Sequence, residues 1–195
     1  SGLFVVAREN NFDNGELFEA VKADITMHPS SIIANKIRVL LATPLLARFE
    51  WLVLFQDDSW ACELISRVIA VVKDEVPDIW EVEVDGERAH ALSIALKEST
   101  LVTLGHLVRD PREREQTLHC IPLLLLRGTS SELLPVPETR LRPGDKLLFC
   151  GRYSAKQSME WTLQNLHALN YVVTGGSRPQ GVVWRFIERL AAKRE

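Results

Sequence analysis

Apolar and polar positions near the start of the chain switch between the spacing of a strand and that of a helix. Residues 3–7 form a short apolar run, residues 15–23 carry a helical apolar stripe, and residues 24–28 have the pattern of a second strand. Ser30 or Ser31 can cap the helix that follows. This order predicts two neighbouring parallel strands of a doubly wound α/β sheet, joined by a right-handed crossover.

Residues 30–76 have the apolar spacing of helices. Pro44 is expected to kink or break the first helix, and Asp57 offers an N-terminal cap for the next. The stretch 44–79 holds more large apolar side chains than a helical pair can bury, so either a second copy of the chain or a missing half of the first lobe must cover them. The candidate interface residues are Phe49, Leu52, Phe55 and Trp60.

A second lobe is predicted from residue 80 onward. Residues 80–84 alternate apolar and polar positions with period two, and Asp85-Gly86 predicts a hairpin turn. Residues 90–96 are expected to pair back as a strand, and residues 100–108 to form a short helix. Further strand candidates are the apolar runs 120–127, 133–136 and 146–150.

The end of the chain has mainly helical patterns. Ser154 and Gln157 have the spacing of a capping box that opens a helix. Residues 170–173 are expected to form a last strand, and an amphipathic helix closes the chain after the linker 175–179.

Charge and composition narrow the class of protein. The net charge of −3 and the pI near 6.0 argue against nucleic-acid binding. No apolar run reaches the ~18 residues that a membrane-spanning helix needs. The three cysteines, Cys62, Cys120 and Cys150, predict buried thiols in a reducing compartment rather than a disulfide or a metal site.

Residues 141–151, LRPGDKLLFCG, carry the most informative motif. Pro143 sets the first corner of a tight turn, and Gly144 can take the positive φ that the second corner of a type II turn requires. With the apolar run that ends in Arg127-Gly128, this arrangement resembles the C-terminal lobe of an RCK domain, the regulator of potassium conductance also called TrkA-C. The resemblance implies a lobe that reads a ligand and helps to set the open state of a potassium channel or transporter.

The opening residues resemble the last strands of the N-terminal RCK lobe, which has a Rossmann-type fold. The similarity runs from VVARENN at residues 5–11 to IIANKI at residues 32–37. That lobe normally opens with a glycine-rich turn, and no G-x-G-x-x-G occurs in this sequence. The chain also starts Ser-Gly without an initiator methionine, so we predict a fragment that begins inside the N-terminal lobe.

The resemblance divides the chain into four predicted parts. Residues 1–43 are the C-terminal half of a Rossmann-type lobe, and residues 44–79 are a helical crossover that dimerises. Residues 80–153 are a small α+β lobe of TrkA-C type, and residues 154–195 are a helical extension. The resemblance further implies a homo-oligomer, either a dimer or a larger ring, that acts on a membrane-embedded potassium pore at the cytoplasmic face of the cell membrane.

A nucleotide site is implied at the carboxyl end of the first strand. Open α/β sheets bind ligands at such ends, and the Arg8 guanidinium can pair with a phosphate there. In the intact RCK domain the ligand is a nucleotide such as NAD or ATP, and its contacts fall here on Arg8, Glu9 and Asn10. Because the glycine turn is missing, we expect the fragment alone to bind nucleotide weakly or not at all. The alternative is a surface arginine paired with Glu9 or Glu16.

A divalent cation is a second candidate ligand. Some RCK domains bind divalent cations through carboxylates, and hard cations prefer several oxygen ligands. The candidate ligands are Asp57, Asp58, Glu81 and Glu83. Helix capping and solvated faces explain the same residues without an ion.

The sequence contains no recognisable catalytic arrangement. Its five histidines lack metal-ligand spacing, and no G-x-S-x-G nucleophile elbow occurs. We therefore do not expect an enzyme. Two alternatives to the regulatory role stay open, a remnant of an NAD-dependent oxidoreductase and an interaction domain of unrelated role.

Overall fold

The structure is a computed structural model that describes residues 6–8, 25–27, 37 and 43–176. The chain divides into two compact units, residues 1–50 and 51–195. None of the helices in the described residues is long and apolar enough to cross a membrane. The described strands and helices are β1 (Val6–Arg8), β2 (Ile25–Met27), α1 (Pro44–Val53), α2 (Asp58–Val72), β3 (Asp78–Glu83), α3 (His90–Lys97), α4 (Leu104–Leu107), β4 (Cys120–Arg127), β5 (Ser130–Leu133), β6 (Lys146–Gly151), α5 (Tyr153–Gln164) and α6 (Leu166–Thr174).

Strands β1 and β2 are parallel neighbours, with Val6 opposite Ile25 and Arg8 opposite Met27. This pairing confirms the predicted parallel arrangement, because parallel strands require a crossover connection rather than a hairpin. The predicted crossover helix at residues 15–23 lies outside the described residues.

The second unit contains a four-stranded antiparallel sheet with the strand order β3-β6-β4-β5. Strand β6 lies between β3, where Trp80 is opposite Phe149, and β4, where Leu125 is opposite Leu147. A tight hairpin joins β4 to β5, and Gly128 supplies its positive φ of 58°. Because β1 and β2 belong to a different sheet, the predicted combination of a parallel α/β part and a small α+β lobe is confirmed.

One face of the antiparallel sheet carries the main core. Trp80 and Phe149 stack with their ring centroids 5.6 Å apart. Buried side chains of helices α3 to α6 belong to the same cluster. Successive side chains of a strand point to opposite faces, so Leu148 and Cys150 face the other side, where α2 packs against β4 and β6. The sheet is therefore covered by helices on both faces.

Residues 90–96 form a helix, α3, and the predicted strand is wrong. Three side chains of α3 are buried at helical spacing. A short run of alanine, leucine and isoleucine fits both periods, and packing on the core selects the helix. The hairpin predicted at Asp85-Gly86 is also wrong, because the segment after it is the helix α3 and not a returning strand. The Asp85 carboxylate accepts hydrogen bonds from the backbone N–H groups of Glu87 and Arg88, which turns the chain into α3.

The prediction of a last strand at residues 170–173 is wrong, because these residues belong to α6. Asn165 starts this helix by accepting hydrogen bonds from two backbone N–H groups of its first turn. The predicted capping box of Ser154 and Gln157 is also wrong. Helix α5 begins two residues earlier than such a box would place it, and its N-cap residue Arg152 makes no side-chain cap bond.

Two element boundaries differ from their predictions. Pro44 is the first residue of α1, a position where its missing N–H group costs nothing. The strand predicted at residues 133–136 is wrong beyond its first residue, because β5 covers Ser130–Leu133 and ends where Leu134 adopts a φ of 48°. The predicted cap of α2 is confirmed, since the Asp57 carboxylate accepts a hydrogen bond from the Trp60 N–H at 2.8 Å.

Candidate functional site

Arg127 and Asp145 bring the RG and LRPGD motifs together. Arg127 ends β4 and Asp145 directly precedes β6. The Nε and Nη2 atoms of Arg127 donate to the two carboxylate oxygens of Asp145 at 2.8 and 2.7 Å. The backbone N–H of Arg142 donates to the same carboxylate at 2.8 Å. Asp145 is only 1% exposed, so the carboxylate is satisfied inside the protein rather than by water.

The Arg127 guanidinium also closes the loop between the two motifs. Its Nη2 atom donates to the carbonyl oxygen of Arg140 at 2.7 Å. The hydrogen bond to Asp145 is the main cause that raises the pKa of Arg127, and burial acts in the opposite direction. Charge-assisted bidentate pairs are stronger than neutral hydrogen bonds, so this pair stabilises the conformation of the loop between Arg127 and Asp145.

The LRPGD turn is bonded to the end of strand β3. Gly144 adopts a φ of 83°, which confirms the positive φ expected for it. Its N–H donates to the carbonyl oxygen of Val84 at 2.9 Å, and the Val84 N–H donates to the carbonyl oxygen of Asp145 at 2.8 Å. The motif therefore fixes both neighbours of β6, namely β3 through the turn and β4 through Arg127.

Arg152 links helix α2 to the start of helix α5. Its Nε atom donates to the carbonyl oxygen of Val71 at 3.0 Å, and its Nη1 atom lies 3.0 Å from a Glu75 carboxylate oxygen. A second ion pair nearby joins Lys156 to Asp78 at 3.1 Å. Arg152 thus satisfies a carbonyl in the last turn of α2 and ties the start of α5 to the end of α2.

The four candidate interface residues differ in their accessibility. Phe49 is 9% exposed and buried within the single chain, so it is not available to a partner in this conformation. Leu52 and Trp60 are half-buried, and Phe55 is 69% exposed. Ile65 and Ile69 of α2, which are not among these four candidates, are more than half exposed. The accessible apolar surface of the connector thus lies on the end of α1 and along α2.

Two of the candidate metal ligands, Asp57 and Glu83, are held in other contacts. Asp57 caps α2, and Asp58 lies in the first turn of that helix. Glu83 accepts from Lys146 at 2.9 Å and Arg88 at 3.3 Å. In the described part of the chain, no three His, Cys, Asp or Glu side chains form a group that could hold a metal ion. The cation site stays a prediction.

Arg8 is the last residue of β1, as the predicted nucleotide site requires. Glu9 and Asn10 lie outside the described residues, so their part of that prediction is not tested.

The predicted burial of the three cysteine thiols is confirmed for Cys120 and Cys150 and wrong for Cys62. Cys120 and Cys150 are buried and free, whereas Cys62 is exposed on α2. Burial raises the pKa of Cys120 to about 12, with a smaller contribution from Cys150. Burial also raises the pKa of Cys150. Both thiols are therefore protonated and unreactive near neutral pH.

A pocket of about 480 Å³ opens beside edge strand β3. This pocket could not be predicted from the sequence, because its walls come from three separate segments, namely β3, the turn before α3 and the end of α5. Gln164 joins two of these segments by donating to the carbonyl oxygens of Glu87 and Arg88 at 3.1 and 2.8 Å. The lining residues are Trp80, Glu81, Val82, Glu87, Arg88, Glu160, Leu163 and Gln164.

Comparison with known proteins gives matches among solved structures alone. No protein-family model matches the chain, and no curated protein matches it.

Three of the similar structures carry the RCK name or come from the channel that contains this domain. The crystal structure of the GsuK RCK domain is 17% identical, with a TM-score of 0.30, and the match covers 82% of this chain and 27% of that one. The GsuK channel bound to NAD is 17% identical, with a TM-score of 0.31, and the match covers 82% of this chain and 22% of that one. The GsuK channel itself is 18% identical, with a TM-score of 0.30 and the same two coverages.

This chain therefore spans about a quarter of the length of the structures it resembles. One of the three carries the RCK name, and at such low TM-scores any function has to rest on the residues of this chain and their contacts.

Proposed function

We propose that this chain is a ligand-sensing regulatory module of RCK type that acts on a potassium channel or transporter. The observation that carries the proposal is the Arg127–Asp145 pair. The two sequence segments that resemble the C-terminal RCK lobe meet in one bidentate contact with the buried carboxylate of Asp145. A regulatory lobe must move as one body when a ligand binds, and a fully satisfied buried network makes a lobe rigid.

The route from the lobe to its connector runs through Arg152. This residue follows β6 directly and holds the end of α2 through Val71 and Glu75. Ligand binding can shift an equilibrium between two states only if the ligand contacts them differently. In this proposal the two states differ in how α5 presents Arg152 to α2.

The connector supplies a surface for self-association. Phe55, Ile65 and Ile69 expose large apolar side chains at the end of α1 and on α2. Exposed apolar patches of this kind mark interaction surfaces. We assign this surface to a second copy of the chain, in a homodimer or a larger ring at the cytoplasmic face of the membrane.

The proposed RCK type also implies two kinds of ligand for the intact module. A nucleotide such as NAD or ATP is placed at Arg8, Glu9 and Asn10, at the carboxyl end of β1. A divalent cation is the second ligand, with the carboxylates of Asp57, Asp58, Glu81 and Glu83 as its candidate contacts. Catalysis is no part of the proposed role.

The role is tested by potassium transport in cells. The full parent gene, with its neighbouring pore gene if the pore is encoded separately, is expressed in bacteria that lack their own potassium uptake. Rubidium uptake then reports transport. Deleting residues 1–195 should change the uptake. Arg152→Gln should reproduce much of that change, because it removes the contacts between the start of α5 and the end of α2. Arg142→Gln, which alters an exposed side chain, is the matched control. Equal uptake with and without these residues would contradict the proposal.

A further inference from the structure

The pocket beside β3 has the size and the lining of a small-molecule site. Its volume of about 480 Å³ falls within the range of about 300–1,000 Å³ that is typical of ligand pockets. Trp80, Val82 and Leu163 contribute buried apolar wall. The remaining lining residues are polar or charged, so the pocket combines an apolar wall with a charged rim.

The rim of the pocket is acidic. Three acidic residues, Glu81, Glu87 and Glu160, line it together with a single basic residue, Arg88. Arg88 bonds to Glu83, outside the pocket lining, at 3.3 Å. Within the residues that the structure describes, Glu87 and Glu160 form no ion pair. The two carboxylates are thus available to a cationic ligand.

Trp80, which lines the same wall, carries a hydrogen-bond donor that lacks a partner in the described residues. The residue is 5% exposed, and its Nε1 atom is buried with no acceptor among the described residues. A buried donor without a partner is unfavourable, and most such groups in proteins are satisfied. An acceptor oxygen carried by a ligand would satisfy it.

A metal ion does not fit these groups. The carboxylates are spread around the rim, and no cluster of three or more metal-ligating side chains occurs in the described part of the chain. Hard cations need several oxygen ligands at short distance. An organic ligand with separated charges can reach carboxylates that do not converge on one point.

We propose that this pocket binds a free basic amino acid, of the lysine or ornithine class. The two ammonium groups would face Glu87 and Glu160, and the carboxylate would face Arg88 and the Trp80 N–H. The methylene chain would lie on the apolar wall. This ligand matches Glu87, Glu160 and Arg88 in the sign of each group. The binding step is independent of the regulatory role proposed above, because a purified chain binds the amino acid whether or not it acts on a channel.

Calorimetry with three related probes tests the assignment of each group. Lysine carries all three charged groups, cadaverine lacks the carboxylate, and ε-aminocaproate lacks the α-ammonium. Lysine should bind more tightly than either analogue, by about tenfold for each charged hydrogen bond lost. Equal affinity for lysine and cadaverine, or for lysine and ε-aminocaproate, would overturn the proposal. Competition by magnesium chloride at matched ionic strength would do the same, since it would indicate binding to diffuse charge.

Variants connect the binding to this pocket. Glu87→Gln and Glu160→Gln alter exposed side chains, and each should weaken lysine binding about tenfold. Glu98→Gln changes an exposed carboxylate outside the pocket and should leave the affinity unchanged. Trp80→Phe keeps an aromatic ring against Phe149 and removes the N–H, so it should weaken lysine binding but not cadaverine binding. If Glu87→Gln and Glu160→Gln bind lysine as Glu98→Gln does, the site is not this pocket.

Discussion

Arg127 and Asp145 are 18 positions apart and form a bidentate ion pair on the boundary between surface and core. The two partners are buried unequally, because the Arg127 side chain is 32% exposed and Asp145 only 1%. Loss of the arginine leaves a carboxylate that water cannot reach. Loss of the aspartate leaves a guanidinium that can turn towards solvent.

The first prediction uses this asymmetry. Arg127→Met should lower the free energy of unfolding by roughly 3 kcal/mol, the low end for a broken buried pair because Arg127 is partly exposed. Asp145→Asn should cost less, because the amide keeps an acceptor for the Arg142 N–H. Urea denaturation followed by circular dichroism measures both. A larger loss in Asp145→Asn than in Arg127→Met would contradict the assignment. Arg127→Lys, which keeps the charge without the bidentate geometry, should fall between wild type and Arg127→Met.

Strands and turns could be predicted from the sequence where the local residues favour a single backbone conformation. Residues 80–84 alternate strictly, and the structure buries Trp80 and Val82 while Glu81 and Glu83 are less buried. Pro143 and Gly144 leave few backbone conformations, and the turn forms as expected. In such segments the side-chain pattern and the backbone preference agree.

For short apolar runs, the local sequence did not decide between a strand and a helix. Residues 90–96 and 170–173 satisfy a strand and a helix equally well, and both are helical in the fold. Their environment decides, because α3 and α6 contact each other and pack on one face of the antiparallel sheet. The pocket was unpredictable for the same reason, since Trp80 and Glu160 are 80 positions apart and meet only in the fold.

A second prediction concerns Gly151, the last residue of β6. A Cβ atom at this position would lie 2.5 Å from the Cβ atom of Cys120 and would also contact the carbonyl oxygen of His119. Both neighbours belong to the adjacent segment of backbone and cannot turn away. Gly151→Ala should therefore lower the free energy of unfolding by about 3 kcal/mol or more. Thermal and urea unfolding measure the loss.

Gly86→Ala is the control for this substitution. Nothing lies within 4 Å of a Cβ atom built at Gly86, so the added methyl group has space. The variant should unfold within about 0.5 kcal/mol of wild type. Equal stability of the two alanine variants would show that β4 and β6 are not as close at Gly151 as described.

A third prediction concerns the link between α2 and α5. Arg152 and Glu75 form an ion pair in which Glu75 is 53% exposed, so their coupling should be small. A double-mutant cycle with Arg152→Gln and Glu75→Gln should give a coupling energy of about 1 kcal/mol. Arg152→Gln alone should cost more than Glu75→Gln, because it also removes the donor to the Val71 carbonyl oxygen. If the two single variants unfold identically, Arg152 does not hold the end of α2.

A fourth prediction concerns assembly through the connector. The chain should run as a dimer or larger species in light scattering at micromolar concentration, because its exposed apolar connector needs a partner surface. Phe55→Asp and Ile69→Asp should each shift it to monomer, since an unpaired charge in an apolar interface is strongly unfavourable. Leu101→Asp introduces the same charge at an exposed leucine of the second lobe and should leave the assembly unchanged. A monomeric wild-type chain would contradict the prediction, as would dissociation by Leu101→Asp.

A fifth prediction gives the dependence of stability on pH in alkaline solution. The pKa of Cys120 is raised by burial from 9.0 to about 12. Below roughly pH 9 the thiol is protonated in both the folded and the unfolded chain, so it leaves stability unchanged. Above that pH the unfolded chain releases the proton while the folded chain keeps it. The free energy of unfolding should then fall by up to about 1.4 kcal/mol per pH unit from this residue.

The measurement compares urea unfolding between roughly pH 8 and 10.5 in three chains. Cys120→Ala should show a shallower fall than wild type, because its unfolded state no longer gains from ionisation at this position. Some fall should persist, since burial also raises the pKa of Cys150. Cys62→Ala removes an exposed thiol and should keep the wild-type slope. If Cys120→Ala keeps the wild-type slope, the Cys120 thiol has the same pKa in the folded and the unfolded chain. That result would contradict the burial of Cys120 in the sheet.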